Sequence, residues 1–369
     1  MAEWRYVARD VRTNAALAEL PLADVSFGEV LNGAGQFSAT LPLTVSAATA
    51  LAAEGSAAGL LTGASQPERT ALFIERNGVT VWAGIIWSRT RGKGRPARLA
   101  GASLWSFFRT QHLRVAKTYS GQDQLAIARD LINTAESVTG ADIGVTVGSE
   151  SSGVLRDRTY QAFEVKQIAE AVEQLAACDN GFDFAVEAGA GGSRALVLGY
   201  PRRGRVAGST GLAFVDGKNL LDYEVVEDGT RSARIFTALG SGDGVDMRTS
   251  TITRTDLIDA GFPATSAIGS FKDVSVQATL DAHARAGVNA RAVTPTFWRV
   301  VVDPDDPESG LGQFIVGDDV VVEVADDENF PRQADGSPGF RGWFRVLSFE
   351  VRVGDTGRET VSVELGAAQ

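Results

Sequence analysis

The sequence predicts a mainly β protein of the α+β class, and three observations support this prediction. Short runs of β-branched and aromatic residues, separated by Gly-containing turns, fill residues 1–110. Stretches with apolar residues at helical spacing follow in the middle of the chain. Strand-like runs then return and continue to the C terminus. A chain of 369 residues is long enough for about two or three domains.

The amino-terminal part is predicted to consist of strands. The strand-like runs cover 3–10, 37–43, 71–76, 79–89 and 95–102. Asn77 and Gly78 separate the third run from the fourth, and both residues tolerate the positive φ that a two-residue hairpin turn requires. Residues 46–66 are rich in Ala, Gly and Ser without periodicity, which is compatible with a short helix or a loop.

The middle of the chain is predicted to be helical in part. The predicted helices cover 122–138, 163–178 and 272–286. Ser120 and Asp123 have the spacing of a capping box, and Gly287 is expected to end the third helix. Asn180-Gly181 is expected to end the second helix before a hairpin. Apolar stripes of this kind are usually core, and we expect them to be core here.

Strands are predicted again in the last third of the chain. Residues 220–227 and 234–239 are expected to pair with each other. The later runs cover 297–302, 313–316, 320–324, 342–353 and 360–365. Residues 303–310 and 326–339 interrupt these runs with acidic, Pro-containing segments.

Two of the hairpins are similar in sequence. The run from Val81 to Ser88 can be aligned with the run from Gly342 to Phe349, so that Trp82 matches Trp343. Each run follows a Gly-containing turn and leads through a second Gly turn into another strand. This similarity indicates either an internal duplication or only the general likeness of antiparallel hairpins. A duplication predicts two related small antiparallel β-barrels with an inserted α/β region. Trp82, Trp87, Trp343 and Phe349 are the aromatic residues of these hairpins.

The charge and the cysteine and histidine content exclude several classes of site. The net charge of -11 disfavours a groove that grips nucleic acid through its phosphates. A single Cys178 excludes an intrachain disulfide and a cysteine-cluster zinc site. His112 and His283 are far apart; we expect His112 at a domain boundary and His283 facing solvent or a neighbouring subunit. We expect Cys178 to be a small buried apolar residue. No signal peptide or membrane-spanning run is visible.

Motifs of catalysis are missing from the sequence. There is no Gly-x-Ser-x-Gly elbow, no His-Glu-x-x-His pair and no phosphate-binding loop of the Walker type. The Gly-rich segment 240–244 contains Asp243, which would repel a phosphate, so we interpret it as a connection between strands. The sequence therefore predicts no catalytic residue, no cofactor and no resident metal. We expect no enzymatic activity.

Two acidic loops are the remaining candidates for a functional surface. Their carboxylates are Asp303, Asp305, Asp306, Glu308, Asp326, Asp327 and Glu328. Ca²⁺ could bind such hard oxygens, but the order of residues does not match an EF-hand loop. No run of Lys or Arg lies nearby in sequence, so we expect these carboxylates to be hydrated, facing either a channel or outer solvent.

The layout of the whole chain resembles the baseplate-hub, or tail-tip hub, proteins of tailed bacteriophages and related contractile machines. The resemblance rests on the opening strand with Phe37 to Leu43, on the hairpin Asn77 to Ile86, and on the closing region from Gly317. It implies two related barrels and an α/β part. The expected boundaries are 1–111 for the first barrel, 211–239 with 292–369 for the second, and 112–210 with 240–291 for the α/β region.

The resemblance also implies a function without catalysis. Three chains would form a ring of six similar barrels at the tail tip of a virion. This ring would join a sixfold tube to a threefold tip and surround the channel through which DNA leaves. Expected partners are two further copies, a distal tail protein ring, the tape-measure protein and tip or fibre proteins, without specific recognition of nucleic acid. The chain ends at Gln369, shortly after its last predicted strand, so lytic or receptor-binding activity is expected to belong to another protein.

Two other functions compete with the hub on sequence alone. A carbohydrate-binding tail adhesin would stack sugars on exposed tryptophans. A tail-associated cell-wall hydrolase would need a carboxylate pair that the 46 acidic residues neither identify nor exclude.

Overall fold

The computed structural model describes residues 2–42, 63–93, 95–209, 211–292, 296–354 and 357–367. Most of the segment 46–66, for which the sequence allows a helix or a loop, lies outside these residues. The fold is α+β and mainly β, as the sequence predicts. Within the described residues no helix is both long and apolar enough to cross a bilayer.

The described part of the chain forms 21 strands and four α-helices. The strands of the first half are β1 (Trp4–Asp10), β2 (Ala16–Glu19), β3 (Ala23–Val30), β4 (Gln36–Leu41), β5 (Thr70–Arg76), β6 (Val79–Gly92), β7 (Arg95–Ser103), β8 (Lys117–Asp123), β9 (Val145–Val147), β10 (Leu155–Tyr160), β11 (Asp183–Ala188) and β12 (Arg194–Gly199). The later strands are β13 (Ala213–Val215), β14 (Leu220–Glu227), β15 (Ile235–Leu239), β16 (Thr249–Thr253), β17 (Ser266–Ser270), β18 (Thr296–Val302), β19 (Asp319–Val324), β20 (Phe340–Val353) and β21 (Glu359–Ala367). The helices are α1 (Gln124–Glu136), α2 (Ile168–Ala176), α3 (Thr255–Asp259) and α4 (Gln277–Asn289).

One 13-stranded sheet organises the molecule. Its strand order is β14-β18-β21-β20-β3-β4-β7-β6-β5-β1-β2, and β19 with β13 branches from β20. The branch is possible because β20 has 14 residues: its first part pairs with β19 and its last part with β3. The two halves of the chain therefore share one sheet. Among the described residues the strand pairings do not close either half into a separate barrel.

The hairpins β5-β6-β7 and β19-β20-β21 are built alike. In β6 the ladder with β7 skips Trp87, and in β20 the ladder with β21 skips Leu347. These bulges fix the equivalence of the two hairpins, because each sits at the point where the long strand changes partners. Trp87 thus corresponds to Leu347, and Trp82 corresponds to Gly342.

The expected match between Trp82 and Trp343 is wrong by one residue. Ala83, not Trp82, is the counterpart of Trp343 under the bulge register. A shift of one residue moves a side chain to the other face of a strand. Trp82 accordingly lies in the main core at 2% exposure, whereas Trp343 is half-buried outside it. The sequence alignment matched the two indole rings, while the backbone register is set by the bulges.

The aromatic residues of the main core occupy related places in the two halves. Phe37 stands opposite Gly101, and Trp298 stands opposite Leu365, which are equivalent ladder positions. Phe37 stacks on Trp82 with ring centroids 5.6 Å apart. Trp298 stacks on Phe340 at 4.6 Å. Each half therefore has stacked aromatic rings beneath the same part of the sheet, and in the second half Trp298 also stacks on Tyr223 and Phe330.

The α/β region packs around a second core. Helices α1 and α2 bury their apolar stripes there, as predicted, together with the hairpin β11-β12. Asp123 is the N-cap of α1 and accepts the N–H groups of Leu125 and Ala126, so the helix begins later than the expected capping box at Ser120. Helix α2 begins only at Ile168, because a 3₁₀ turn precedes it and leaves Phe163 81% exposed.

A small third sheet holds the remaining elements. Strand β15, expected to pair with β14, pairs instead with β16 and β17 beneath α4. The Gly-rich segment after β15 connects it to β16, as expected. Gly287 does not end α4 but lies inside it, where a Cβ would come within 2.4 Å of the Phe236 ring. The glycine is needed for close packing rather than for a helix end. The run 313–316 is not a strand.

Buried ion pairs fasten the α/β region to the second half of the large sheet. Arg345 on β20 pairs with Asp183 on β11, and both side chains are 8% exposed. Asp183 also accepts the backbone N–H of Arg203 at 2.7 Å. The buried carboxylate of Asp318 accepts from Arg205 at 2.6 Å. Removing one member of such a pair leaves an uncompensated buried charge, so the position of the region is strongly specified.

Candidate functional site

The largest candidate surface is one face of the main sheet. Strands from β14 through β21 to β6 alternate side chains between the main core and the opposite face. On β21, for example, Val361 and Val363 are buried while Ser362 and Glu364 point to the other side. We call this opposite side the polar face. Its central residues are Ser26, Ser38, Asp222, Glu224, Arg299, Ser348, Glu350, Ser362 and Glu364.

The polar face is concave and predominantly acidic. It encloses a cavity of about 820 Å³ that extends from β14 to β4. Four carboxylates line this cavity, those of Asp222, Glu224, Glu350 and Glu364, against one guanidinium, that of Arg299. The carboxylates belong to different strands, so only the folded sheet brings them together.

Hydrogen bonds favour the charged form of Glu350 on the polar face. Glu350 accepts from Arg352 at 2.9 Å and from the Ser26 hydroxyl at 2.6 Å. The bond from Arg352 is the main cause that lowers the pKa of Glu350, and the bond from Ser26 adds to it. Glu224 forms an exposed ion pair with Arg299 at 3.4 Å. The surface therefore presents carboxylates and hydroxyls, with Arg299 and Arg352 paired to two of the carboxylates.

The first acidic loop does not behave as expected. Asp305 pairs with Arg76, a buried residue of β5 that also contacts Glu359 at 2.8 Å. Glu308 pairs with Lys218 at 3.0 Å. The expectation that these carboxylates lack basic partners is thus wrong, because Arg76 and Lys218 are distant in sequence and only the fold brings them near.

Asp303 and Asp306 serve mainly to shape the same loop. Asp303 accepts the N–H of Asp305, and Asp306 accepts those of Glu308 and Ser309. Such side-chain to backbone bonds are typical of Asx turns. These two residues thus stabilise the loop conformation.

The second acidic loop is organised by Asp326. Its carboxylate accepts the backbone N–H groups of Glu328, Asn329 and Phe330 and the hydroxyl of Tyr223. The Tyr223 bond is the main cause that lowers the pKa of Asp326 to about 2. Asp327 and Glu328 are exposed.

None of the seven loop carboxylates lines the large cavity of the polar face. Asp326 and Glu328 line a smaller cavity of about 530 Å³ beside β14. Among the described residues no group of three or more Asp, Glu, His or Cys side chains is arranged to hold a metal ion. Whether either loop faces a channel stays a prediction.

The hairpin aromatics are structural. Trp82 donates from its indole N–H to the carbonyl of Gly28 at 2.8 Å, and Trp87 donates to the Ser106 hydroxyl at 2.8 Å. Phe349 is 9% exposed and packs edge-on against Phe314. All six tryptophans are buried or half-buried. A sugar-stacking platform needs an exposed ring, so the adhesin hypothesis gains no support here.

His283 is buried, contrary to the expectation that it faces solvent or a subunit neighbour. Its ring stacks on Phe271 at 4.0 Å, and its Nε2 lies 3.1 Å from Arg158 and 3.3 Å from the sulfur of Cys178. Burial, and next the charge of Arg158, lower the pKa of His283 to about 3. Burial raises the pKa of Cys178, so its thiol stays protonated. The expectation that Cys178 is buried is confirmed at 5% exposure.

Arg158, Cys178 and His283 form a buried cluster that joins the α/β region to α4. This cluster lacks a reactive thiolate.

Sequence reasoning missed the polar face. The signal was present in the strict alternation of runs such as Thr360-Val361-Ser362-Val363-Glu364-Leu365. Alternation predicts that one side of a strand is polar. It does not tell which strands lie side by side, so the concave acidic surface could not be assembled from the sequence.

Comparisons with known proteins identify the fold. No family model matches the sequence, and no curated protein matches it. Solved structures match over nearly the full length: the tail protein from Neisseria meningitidis MC58 has a TM-score of 0.60, with 13% identity over 98% of this chain and 96% of that one. The 43 kDa tail protein of prophage MuSo2 from Shewanella oneidensis has a TM-score of 0.61, with 11% identity over 99% of both chains.

The chain thus has the fold of phage tail proteins, as the sequence resemblance implies. A chain of the Francisella PdpA–VgrG complex is similar as well, with a TM-score of 0.55 and 7% identity over all of this chain and 58% of that one. The shared fold therefore extends to a chain of that complex.

Proposed function

We propose that this chain is a structural tail protein that forms a trimeric hub at the tail tip of a virion. The observation that carries the proposal is the pair of related hairpins within one continuous sheet, in a fold shared over its full length with phage tail proteins. Two of the solved structures that share this fold over nearly their full length are tail proteins. A structural role also needs no catalytic group, in agreement with the buried, protonated Cys178.

The internal duplication explains how a hub of three chains can match a sixfold tube. Three chains with two related halves each present six similar surfaces to a sixfold tube, while the differing parts of the chain keep threefold symmetry for a tip. The hub therefore joins a distal tail protein ring and the tape-measure protein on one side to tip or fibre proteins on the other. It does so without enzymatic activity.

We further propose that the polar face lines the DNA-ejection channel. Four carboxylates and the guanidinium of Arg299 line its cavity, and Arg352 pairs with one of these carboxylates, that of Glu350. Negative charge on the wall keeps DNA from binding while it passes, because the phosphates of DNA are repelled. The two acidic loops are proposed to stand at the ends of the same passage.

The test is a cryo-electron microscopy reconstruction of the assembled tail. We expect three copies of this chain in one ring at the tip, with Glu350 and Glu364 facing the lumen. One copy or six copies per tail would contradict the hub. A threefold ring whose lumen is lined by another surface would contradict only the assignment of the polar face.

A further inference from the structure

A further cavity, of about 330 Å³, lies where the α/β region meets both halves of the main sheet. Its walls come from β3, β6, β11, β20 and the segment 311–316. Most of the lining side chains are apolar, and they include Val81, Trp82, Val186, Phe314, Ile315 and Phe349. A largely apolar cavity of this size is typical of a site that binds a small chemical group.

One carboxyl group lies among these apolar side chains, that of Glu29 on β3. Alternation along β3 directs Val25 and Phe27 into the main core, and Glu29 follows on the same side of the strand. Across the ladder Glu29 stands opposite Phe349, which is 9% exposed. The carboxyl group therefore occupies a position where the sheet otherwise buries apolar residues.

The Glu29 carboxyl has no hydrogen bond or ion pair within the part of the chain that the structure describes. The other charged residues that line the cavity are Glu187 and Arg203, which pair with each other at 2.6 Å. The Arg203 guanidinium also donates to the carbonyl of Val316 at 2.8 Å. The charge of Arg203 is thus offset by Glu187. A desolvated carboxyl without a partner is costly, and a donor from outside the chain would remove this cost.

The surroundings of Glu29 also determine its protonation. Burial is the main cause that raises the pKa of Glu29 to about 8; Glu187 adds to the increase and Arg203 opposes it. At pH 7 the group is therefore mostly protonated and neutral in the free protein. A cation placed beside it would favour the ionised form.

We propose that this cavity binds the side chain of a lysine that a partner protein presents, with the ammonium group on the Glu29 carboxylate. The four-carbon stem of lysine would pack against the apolar wall. Its single ammonium group matches the single free carboxylate, whereas an arginine guanidinium would need acceptors for five N–H groups. This inference goes beyond the proposed hub and does not depend on it.

The entrance of the cavity favours a polypeptide over a free amine. Val79 and Ile315 line the cavity and are 64% and 40% exposed. A partner segment that inserts its lysine would also cover these two residues and bury their apolar surface. A free polyamine would leave them exposed, and the cavity offers no second unpaired carboxylate for its other ammonium groups.

The proposed binding is coupled to the release of one proton. A lysine side chain, with an ordinary pKa of about 10.4, arrives as the ammonium ion. Glu29 must then lose its proton to the solvent before the ion pair forms. With a pKa of about 8 for Glu29, the apparent affinity should rise about tenfold from pH 6 to pH 7 and level off above pH 8.

The test is a saturation-transfer NMR titration of the purified protein with Nα-acetyl-lysine methylamide. The matched probe is Nα-acetyl-norleucine methylamide, which has the same stem without the ammonium group. At pH 8 the lysine probe should bind about tenfold more tightly than the norleucine probe. Only the lysine probe should show the pH dependence. Equal affinity of the two probes, or a pH-independent affinity of the lysine probe, would overturn the inference.

Two variants assign the effect to the carboxyl group. Glu29→Gln keeps the shape of the side chain, and it should leave the unfolding midpoint at pH 7 unchanged because Glu29 is mostly neutral there. This variant should bind both probes equally at every pH. Glu227→Gln alters the net charge at an exposed site outside the cavity and should keep the preference for the lysine probe. A preference that persists in Glu29→Gln would contradict the proposed ion pair.

Spermidine serves as the probe for a free polyamine. It should bind more weakly than the lysine probe, because its further ammonium groups find no unpaired carboxylate in the cavity. Tighter binding of spermidine would overturn the assignment to a lysine of a protein.

Discussion

The Arg158–Cys178–His283 cluster resembles a catalytic constellation in composition but not in environment. The three side chains are 3%, 5% and 2% exposed, respectively. Arg158 donates to both the sulfur of Cys178 and the imidazole of His283. A positive neighbour together with burial keeps His283 neutral, and burial keeps Cys178 protonated. The cluster is a buried polar contact between the α/β region and α4. Its contribution to stability can be measured from the pH dependence of the free energy of unfolding.

We predict that His283 makes the protein less stable in mild acid. Its pKa is about 3 in the folded chain against 6.5 as the ordinary value, so below pH 6.5 the unfolded chain takes up a proton that the folded chain does not. Stability should therefore fall as pH drops from 6.5, by up to about 1.4 kcal/mol per pH unit. Urea unfolding of wild type and His283→Gln between pH 7 and 5 measures this difference. His112→Gln, an exposed site, should keep the wild-type pH dependence. Equal slopes for wild type and His283→Gln would contradict the prediction.

At the scale of elements, the long bulged strands β6 and β20 determine which strands of the main sheet are neighbours. A strand of ordinary length pairs with the same two neighbours throughout, whereas β20 changes from β19 to β3 along one edge. The bulge at Leu347 marks that change, as the bulge at Trp87 does in β6. After its bulge β20 pairs with β3, whereas the ladder of β6 with β5 ends at Ile85, just before the bulge of β6.

We predict that reversing charge on the polar face creates DNA binding. The Glu350→Lys, Glu364→Lys variant should bind double-stranded DNA at low salt, while the wild type should not. Fluorescence anisotropy with a labelled duplex at 50 and 200 mM NaCl measures this effect, and affinity should drop steeply at the higher salt. Asp246→Lys with Asp335→Lys gives the same net charge on exposed sites outside the face. Equal binding by this control would show that net charge alone, not the polar face, is responsible.

At the scale of the whole molecule, the pairing of β3 with β20 joins the first and second halves of the chain into one continuous sheet. Residues more than 300 positions apart in sequence are hydrogen-bonded neighbours there, as with Ser26 and Glu350. The main core runs continuously beneath this seam and includes Phe27 and Val351. We therefore expect the two halves to unfold together.

We predict that Gly28→Ala destabilises both halves at once. A Cβ at Gly28 would lie 2.3 Å from the carbonyl oxygen of Phe349, so the two strands would have to separate. The expected cost is about 1–3 kcal/mol, seen by scanning calorimetry as one transition at lower temperature. Gly211→Ala is the matched control, since nothing lies within 4 Å of its added Cβ. Two separate transitions, or an unchanged midpoint for Gly28→Ala, would contradict a shared cooperative unit.

The sequence by itself determined the local elements. The hairpin at Asn77-Gly78 forms with φ of 52° and 79°, as the turn chemistry requires. The apolar stripes of α1 and α2 are core, and the strands that alternate in sequence are strands in the structure. Local propensity and periodicity act over a few residues, so a single sequence suffices to predict them.

Only the tertiary structure decided register, long-range pairing and electrostatic environment. The one-residue offset between Trp82 and Trp343 depends on bulges that alternation cannot reveal. Arg76 reaches Asp305, and His283 becomes buried, because distant segments meet in the folded chain. The acidic polar face likewise arises from strands far apart in sequence. These features depend on which elements become neighbours, and pairing between distant strands is not encoded in any short window of residues.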